Sequence, residues 1–207
     1  MTPRHHSHPA LTDSQLWQQL KNGSESALSG LLNRHFNPLL NYGYKFVRDE
    51  DFVKDCVQEV FIEIWNRRDR VSVPDSVRAY LLSCVRRRVL RESYRQHIGQ
   101  DDEADERETE GHFVEFSPES LLIEQESLVE TTHRIADALN KMPRRQREVI
   151  YLRYYQNLER DEIAEIMSVN PQSVSNLLQS AFRRFREHWA GLALLLSLVL
   201  PGISHKG

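Results

Sequence analysis

Side chains that could recognise a nucleic acid recur on one side of a helical pattern in residues 171–186. Amides and hydroxyls hydrogen-bond to base edges in the major groove of DNA, and arginines bind phosphates. A helix with the first kind near its N-terminus and arginines further along has the layout of a helix that reads the major groove. The candidate residues are Gln172, Ser173, Ser175, Asn176, Gln179, Arg183 and Arg186.

The opposite side of this stretch is apolar and is expected to pack on a preceding short helix. Asn170 suits an N-cap and Pro171 suits the first helical position. The small Ala164 stands ten residues before Val174, as the close crossing of a helix-turn-helix requires. Val169 is expected to fill the corner of the turn. A soluble helical hairpin with one apolar and one polar face is the alternative. The predicted apolar side is Val174, Leu177, Leu178, Ala181, Phe182 and Phe185.

Composition predicts an all-α fold with room for two small domains. The 207 residues are 40% hydrophobic, with eight Gly, eight Pro and few runs of β-branched residues. Cys56 and Cys84 each lie in an apolar helical pattern, far apart in the sequence. This predicts buried thiols in a reducing compartment, the cytoplasm, and neither a disulfide nor a metal framework.

Charge is segregated along the chain although the net charge is only −3. Residues 78–95 hold six arginines against one acid, and residues 99–120 hold nine acids against one arginine. The acidic stretch has no apolar period, which favours a flexible linker. We therefore predict helical domains at 11–97 and 128–189, an acidic linker at 98–127 and a short apolar tail at 190–207.

A second amphipathic helix is predicted around residues 50–66. Its core stripe is expected to comprise Phe52, Cys56, Val57, Val60, Phe61 and Ile64. Asp55, Gln58, Glu59 and Ile62 then face outward and form a surface available for docking.

Two stretches resemble the sigma-70 family of bacterial transcription initiation factors. "FVKDCVQEVFIEIWNRRDRV" is similar to region 2.2 of that family, and "ALNKMPRRQREVIYLRYYQNLERDEIAEIM" is similar to region 4. They occur in the family's order, and the resemblance covers roughly residues 14–97 and 128–189. The chain has no room for the third domain of housekeeping members, so it resembles the compact extracytoplasmic-function group.

The resemblance implies a surface for core RNA polymerase and two surfaces for promoter DNA. Asp55, Gln58 and Glu59 match the positions that meet the polymerase clamp, with Ile62 and Trp65 as apolar contacts. The residues at 172–186 would read the minus 35 element. A loop stiffened by Pro74 and the following basic helix would bind the minus 10 element, through Arg67, Arg68, Arg70, Arg78, Tyr80, Arg86, Arg87 and Arg91.

Two of these positions depart from the family pattern. The family often has Asn where Arg87 stands and an acid where Arg91 stands. We expect this extra positive charge to strengthen contacts to the DNA backbone without adding sequence readout.

The remaining segments leave alternatives open. The acidic stretch is either a solvated spacer or, as in related factors, a segment that threads the RNA path of the polymerase. The apolar run in the tail is shorter than the ~20 residues of a membrane span, and it either packs on the second domain or docks a regulator such as an anti-sigma factor. His5, His6 and His8 are expected to be a free terminus and not a metal site.

No catalytic constellation is found in the sequence, so neither enzymatic activity nor a cofactor, metal or small-molecule substrate is expected. The first hypothesis is a sigma factor whose partners are core RNA polymerase and promoter DNA. The second is a stand-alone helix-turn-helix regulator of transcription. The face of Asp55, Gln58 and Glu59 discriminates between them, because a stand-alone regulator would not need it.

Overall fold

Four α-helices form the first structural unit, and side-chain caps mark the starts of several of them. The computed structural model of the chain describes residues 11–98 and 129–188. Thr12 and Gln15 form a reciprocal capping box, and the carboxylate of Asp49 accepts a hydrogen bond from the Phe52 amide. The helices are α1 (Asp13–Lys21), α2 (Glu25–Gly43), α3 (Glu50–Asn66) and α4 (Val77–Ile98).

Helix α2 lies at the centre of this unit and packs against α1, α3 and α4, while α3 and α4 also pack against each other. Trp17 is fully buried, and its indole Nε1 donates a hydrogen bond to the carbonyl of Ser72 at 3.0 Å. This bond ties the loop between α3 and α4 to α1. Gly43 permits a close crossing of α2 and α3, because a methyl group there would overlap with the side chain of Val53.

The predicted apolar stripe of α3 is largely confirmed. Of its six residues, Phe52 is only half-buried, whereas the other five are buried together with Val53. The prediction for Phe52 was wrong because the buried face of α3 is centred on Val53, which packs against the Gly43 backbone. Cys84 on α4 is likewise half-buried where a buried thiol was expected, while Cys56 is buried.

The described part of the second unit, residues 129–188, contains four further α-helices. They are α5 (Val129–Asn140), α6 (Arg144–Ile150), α7 (Arg160–Met167) and α8 (Pro171–His188), and a π-helical segment (Tyr151–Tyr155) continues α6. Helix α8 packs against α6 and α7 and makes fewer contacts with α5. Leu152, Leu158, Ile163 and Ile166 are almost fully buried and form the centre of the core.

The predicted helix-turn-helix is confirmed in α7 and α8. Helix α8 begins at Pro171, and the side-chain oxygen of Asn170 accepts a 2.7 Å hydrogen bond from the amide of Ser173. Ala164 and Val174 are both buried, as a close crossing requires. The turn between the helices passes through Ser168, whose φ of 54° and ψ of 48° lie in the left-handed region.

Phe182 departs from the predicted apolar side of α8. Its side chain is 43% exposed and packs edge-on against the exposed ring of Tyr154, with 6.0 Å between the ring centroids. The most deeply buried residues of α8 are Val174 and Ala181, which lie seven residues apart. Phe182 follows Ala181 by one position, about 100° around the helix, and therefore lies at the edge of the buried face. Val169 is half-buried at the corner of the turn.

The all-α prediction is confirmed, and the described residues fall into two separate helical units. Most of the predicted linker lies outside the described residues, and so does the whole of the predicted tail. His5, His6 and His8 also lie outside them. The domain boundaries therefore stay predictions. Within residues 11–98 and 129–188, none of the helices combines the length and apolarity that crossing a membrane requires.

Candidate functional site

The outward face of α3 carries acidic, amide and apolar side chains next to one another. Asp55, Gln58 and Glu59 are exposed, as predicted, and Ile62 on the same face is 57% exposed. They are held at fixed spacing because the opposite side of α3 is anchored in the core. Ile62 is the large exposed aliphatic residue on this face, and it lies between polar side chains that are accessible to a partner.

Trp65 lies at the end of this face and is half-buried. The guanidinium of Arg68 stacks over its ring, 4.5 Å from the centroid, and Arg68 Nη1 donates a hydrogen bond to the Trp65 carbonyl at 2.9 Å. The sequence assigned these two residues to different partners, polymerase for Trp65 and DNA for Arg68. In the structure they form a single stacked pair at the start of the loop between α3 and α4.

Arg88 of α4 connects the exposed face of α3 to the basic helix. Its two terminal nitrogens bind Glu59 and Glu63, and the second bond, from Nη2 to Oε2 of Glu63, measures 2.8 Å. Glu63 also forms a 3.1 Å ion pair with Arg67. Neither Arg88 nor Glu63 was among the predicted site residues. The run Arg86, Arg87, Arg88 was a visible signal, but the sequence does not show which of the three turns toward α3.

A cavity of about 330 Å³ lies between α3 and α4. Apolar side chains and four arginines line it together, and one of the four, Arg88, is paired with Glu63. We call it the α3–α4 cavity. It is lined by Val60, Glu63, Ile64, Arg67, Val71, Tyr80, Cys84, Arg87, Arg88 and Arg91.

Tyr80 and Cys84 lie side by side in the wall of this cavity. Burial, reinforced by the neighbouring Cys84, raises the pKa of the Tyr80 hydroxyl to about 12, and burial raises the pKa of the Cys84 thiol. Both groups are therefore neutral at physiological pH. The Tyr80 ring packs edge-on against Trp17, with 5.4 Å between ring centroids, and so has a fixed position.

The predicted minus 10 residues divide into two groups. Arg67, Tyr80, Arg87 and Arg91 meet at the α3–α4 cavity. The others do not line it: Arg68 stacks on Trp65, Arg70 is exposed in the loop, Arg78 is half-buried, and the Arg86 guanidinium lies 6.0 Å from the centroid of the Phe46 ring.

The outward face of α8 has the predicted polar layout. Gln172, Asn176, Gln179, Arg183 and Arg186 are exposed, while Ser173 and Ser175 are half-buried. The Gln172 amide nitrogen donates to the Asn176 side-chain oxygen at 3.1 Å, so the two amides are oriented together. The Ser175 hydroxyl donates to the Pro171 carbonyl at 3.3 Å.

Metal-ligating side chains do not cluster in the described part of the chain. Burial raises the pKa of the Cys56 thiol to about 11, so this group is protonated and unsuited to bind a metal or act as a nucleophile.

The two units each match a known protein family model. A sigma-70 region 2 model matches residues 31–97, and a sigma-70 region 4 model matches residues 132–185. The two matches together cover more than half of the chain. The chain belongs to the sigma-70 family of sigma factors. The first match includes the exposed face of α3 and the α3–α4 cavity, and the second includes the helix-turn-helix.

Relatives of this sigma factor place it in the extracytoplasmic-function group. It is 21% identical to the ECF RNA polymerase sigma factor SigK of Mycobacterium sp. (strain KMS), over 81% of this chain and 86% of SigK. It is 22% identical to the RNA polymerase sigma factor SigV of Bacillus subtilis (strain 168), over 80% of this chain and 93% of SigV.

Solved structures share the fold. CnrH, determined in complex with the cytosolic domain of CnrY, superposes with a TM-score of 0.55 at 20% identity and covers 84% of this chain and 95% of its own. The sigma factor RpoE of Bartonella quintana, determined with the anti-sigma factor NepR, gives a TM-score of 0.53 at 18% identity, over 77% and 94% of the two chains.

Proposed function

We propose that this sigma factor joins core RNA polymerase through the exposed face of α3 and directs the enzyme to promoters by recognising minus 35 and opening minus 10 DNA. The observation that carries the proposal is the α3 face, where Asp55, Gln58 and Glu59 lie beside the exposed Ile62. The match to sigma-70 region 2 includes this helix. A stand-alone regulator, the second hypothesis, has no use for such a face and is not favoured.

The α3–α4 cavity supports the minus 10 part of the proposal. The apolar side chains in its lining are suited to contact one unstacked base, and the exposed Arg67, Arg87 and Arg91 in the same lining would bind phosphates of that strand. Backbone contacts of this kind position a strand without reading its sequence. Sequence preference at minus 10 then arises from the shape of the cavity.

The exposed face of α8 supports the minus 35 part. Asn176 and Gln179 carry amides that can form two hydrogen bonds with an adenine edge, and Arg183 and Arg186 lie one and two turns further along. The N-terminal half of α8 would therefore contact bases, and its C-terminal half would contact phosphates.

We further propose that the protein works in the cytoplasm without catalytic chemistry of its own. The bonds it would make to polymerase and DNA are non-covalent, and its described thiols are protonated. An anti-sigma factor is proposed as a further partner, since the sigma factor RpoE was determined in complex with the anti-sigma factor NepR.

The exposed face of α3 formed by Asp55, Gln58, Glu59 and Ile62, which we call the docking face, can be tested by replacing Gln58 and Glu59 with Ala in the whole chain. Both side chains are exposed, so their removal loses no core burial and the fold should persist in a thermal melt. We expect co-elution with core RNA polymerase and promoter-dependent transcription to be lost. Gln19→Ala with Glu25→Ala, an equivalent change on exposed positions of α1 and α2, is the matched control. Undiminished co-elution of the α3 variant would contradict the proposal.

A further inference from the structure

Arg88 differs from the neighbouring arginines of α4 because its guanidinium group lies against α3. Its side chain is only 15% exposed and lies against α3, whereas Arg87 and Arg91 are exposed. The guanidinium binds two acids of α3, Glu59 through Nη1 and Glu63 through Nη2. Although Arg88 lines the α3–α4 cavity, both of its terminal nitrogens are bound to acids, so it is less available to DNA than Arg87 and Arg91.

The planar guanidinium of Arg88 can bind Glu59 and Glu63 together. Glu59 and Glu63 are one helical turn apart on the same face of α3, where like charges repel. A planar guanidinium has donors on both terminal nitrogens and can bind both carboxylates at once, which a lysine ammonium cannot do with the same geometry. Glu63 is also held by Arg67 at 3.1 Å, so Arg88 is anchored on a residue that is itself fixed.

Glu59 is held by this arrangement without being hidden. Its side chain remains 56% exposed although one carboxylate oxygen is bound by Arg88. By contrast, the side chains of Asp55 and Gln58 on the same face make no hydrogen bond or ion pair among the described residues. Among the three polar residues of the docking face, Glu59 is therefore the one whose side chain is held in place, by Arg88.

We propose that Arg88 is a positioning residue for polymerase binding, which fixes the Glu59 carboxylate in the orientation that the enzyme binds. This inference rests on the proposed docking face of α3. A free glutamate side chain loses rotamer freedom when it is immobilised at an interface, and a side chain already held in place loses less. Pre-ordering one side chain corresponds to about a three- to tenfold gain in affinity.

A double-mutant cycle on the whole chain tests this role. We expect Arg88→Met to weaken binding to core RNA polymerase about three- to tenfold. In a Glu59→Ala background the same substitution should have no further effect, because the group that it positions is gone. Arg34→Met is the matched control, since Arg34 of α2 also binds a carboxylate on another helix, Asp13 of α1, and is not part of the α3 face. It should leave the affinity unchanged.

The possible results distinguish a failure of this inference from a failure of the proposed function. Equal losses from Arg88→Met in both backgrounds would show that Arg88 acts directly or only through the fold, and would overturn the inference alone. Tighter binding by Arg88→Met would overturn it too. Undiminished binding by Glu59→Ala would overturn both Glu59 as a docking residue and the inference. If Arg88→Met does not fold in a thermal melt, Arg88→Lys goes through the same cycle.

Discussion

At the scale of single residues, a buried histidine links the start of the chain to the core of the first unit. His35 on α2 is 5% exposed, and its Nε2 lies 2.8 Å from Oδ2 of Asp13 at the beginning of α1. Burial lowers the pKa of His35 below 6.5, although the neighbouring Asp13 acts in the opposite direction. The folded protein therefore favours the neutral ring.

This lowered pKa predicts a loss of stability in mild acid. Below pH 6.5 the unfolded chain binds a proton at His35 more readily than the folded chain does. Stability from this residue is thus fully present above pH 6.5 and is lost as the pH falls through the folded pKa. We expect His35→Gln to flatten this part of the stability profile of the first unit, measured by denaturant unfolding between pH 7.5 and 5. An unchanged slope would contradict the assignment.

Ser168 holds the turn of the helix-turn-helix in a conformation that a residue with a Cβ rarely adopts. Its left-handed backbone follows the last turn of α7, where glycine is the usual residue. We expect Ser168→Gly to stabilise this unit by roughly 0.5–1 kcal/mol. Amide hydrogen exchange of peptides from α7 and α8 should slow accordingly.

The control for this prediction is Ser175→Gly, which places glycine inside α8 and should destabilise it by about 0.5–1 kcal/mol. Faster exchange in both variants would show that the turn is not strained.

At the scale of elements, the proposed role of α8 is to contact bases with its N-terminal half and phosphates with its C-terminal half. We expect Asn176→Ala and Gln179→Ala each to lower discrimination between promoter sequences by ~1–3 kcal/mol. Arg183→Ala should instead weaken binding to all sequences about equally, with a shallower salt dependence. Competition with promoters altered at single minus 35 positions distinguishes the two effects, using holoenzyme assembled with each variant.

Gln18→Ala, an exposed amide on α1 of the other unit, is the matched control for α8. Equal losses on every promoter for all three α8 variants would argue against base contacts by this helix.

Local patterns predicted the elements well and the contacts between them poorly. Asn170 and Pro171 defined the start of α8, because capping depends on neighbouring residues alone. The side from which Arg88 meets α3 depends on how α3 and α4 cross, and the contact of Arg86 with Phe46 depends on where the loop between α2 and α3 packs. Neither is encoded by periodicity. The exposure of Phe182 likewise depends on tertiary packing, since its ring packs against Tyr154 of the π-helical segment.

At the scale of the whole molecule, opposite charges occupy different parts of the chain. The arginines of α4 lie in the first unit, those of α8 lie in the second, and nine acids occur between residues 99 and 120. Each basic surface is small, so each alone should bind DNA weakly. Two weak sites reinforce one another only when their spacing matches that of their targets.

Core polymerase is expected to supply that spacing. Promoter affinity should therefore depend on the polymerase and not on the free chain.

Fluorescence anisotropy with labelled promoter duplex tests this central claim directly, comparing the free chain, core polymerase alone and the two together at physiological salt. We predict weak binding with little sequence preference for the free chain, and tight, promoter-specific binding only for the combination. A duplex with a scrambled minus 35 element controls for specificity. Specific binding of nanomolar affinity by the free chain alone would contradict the account and favour a stand-alone regulator.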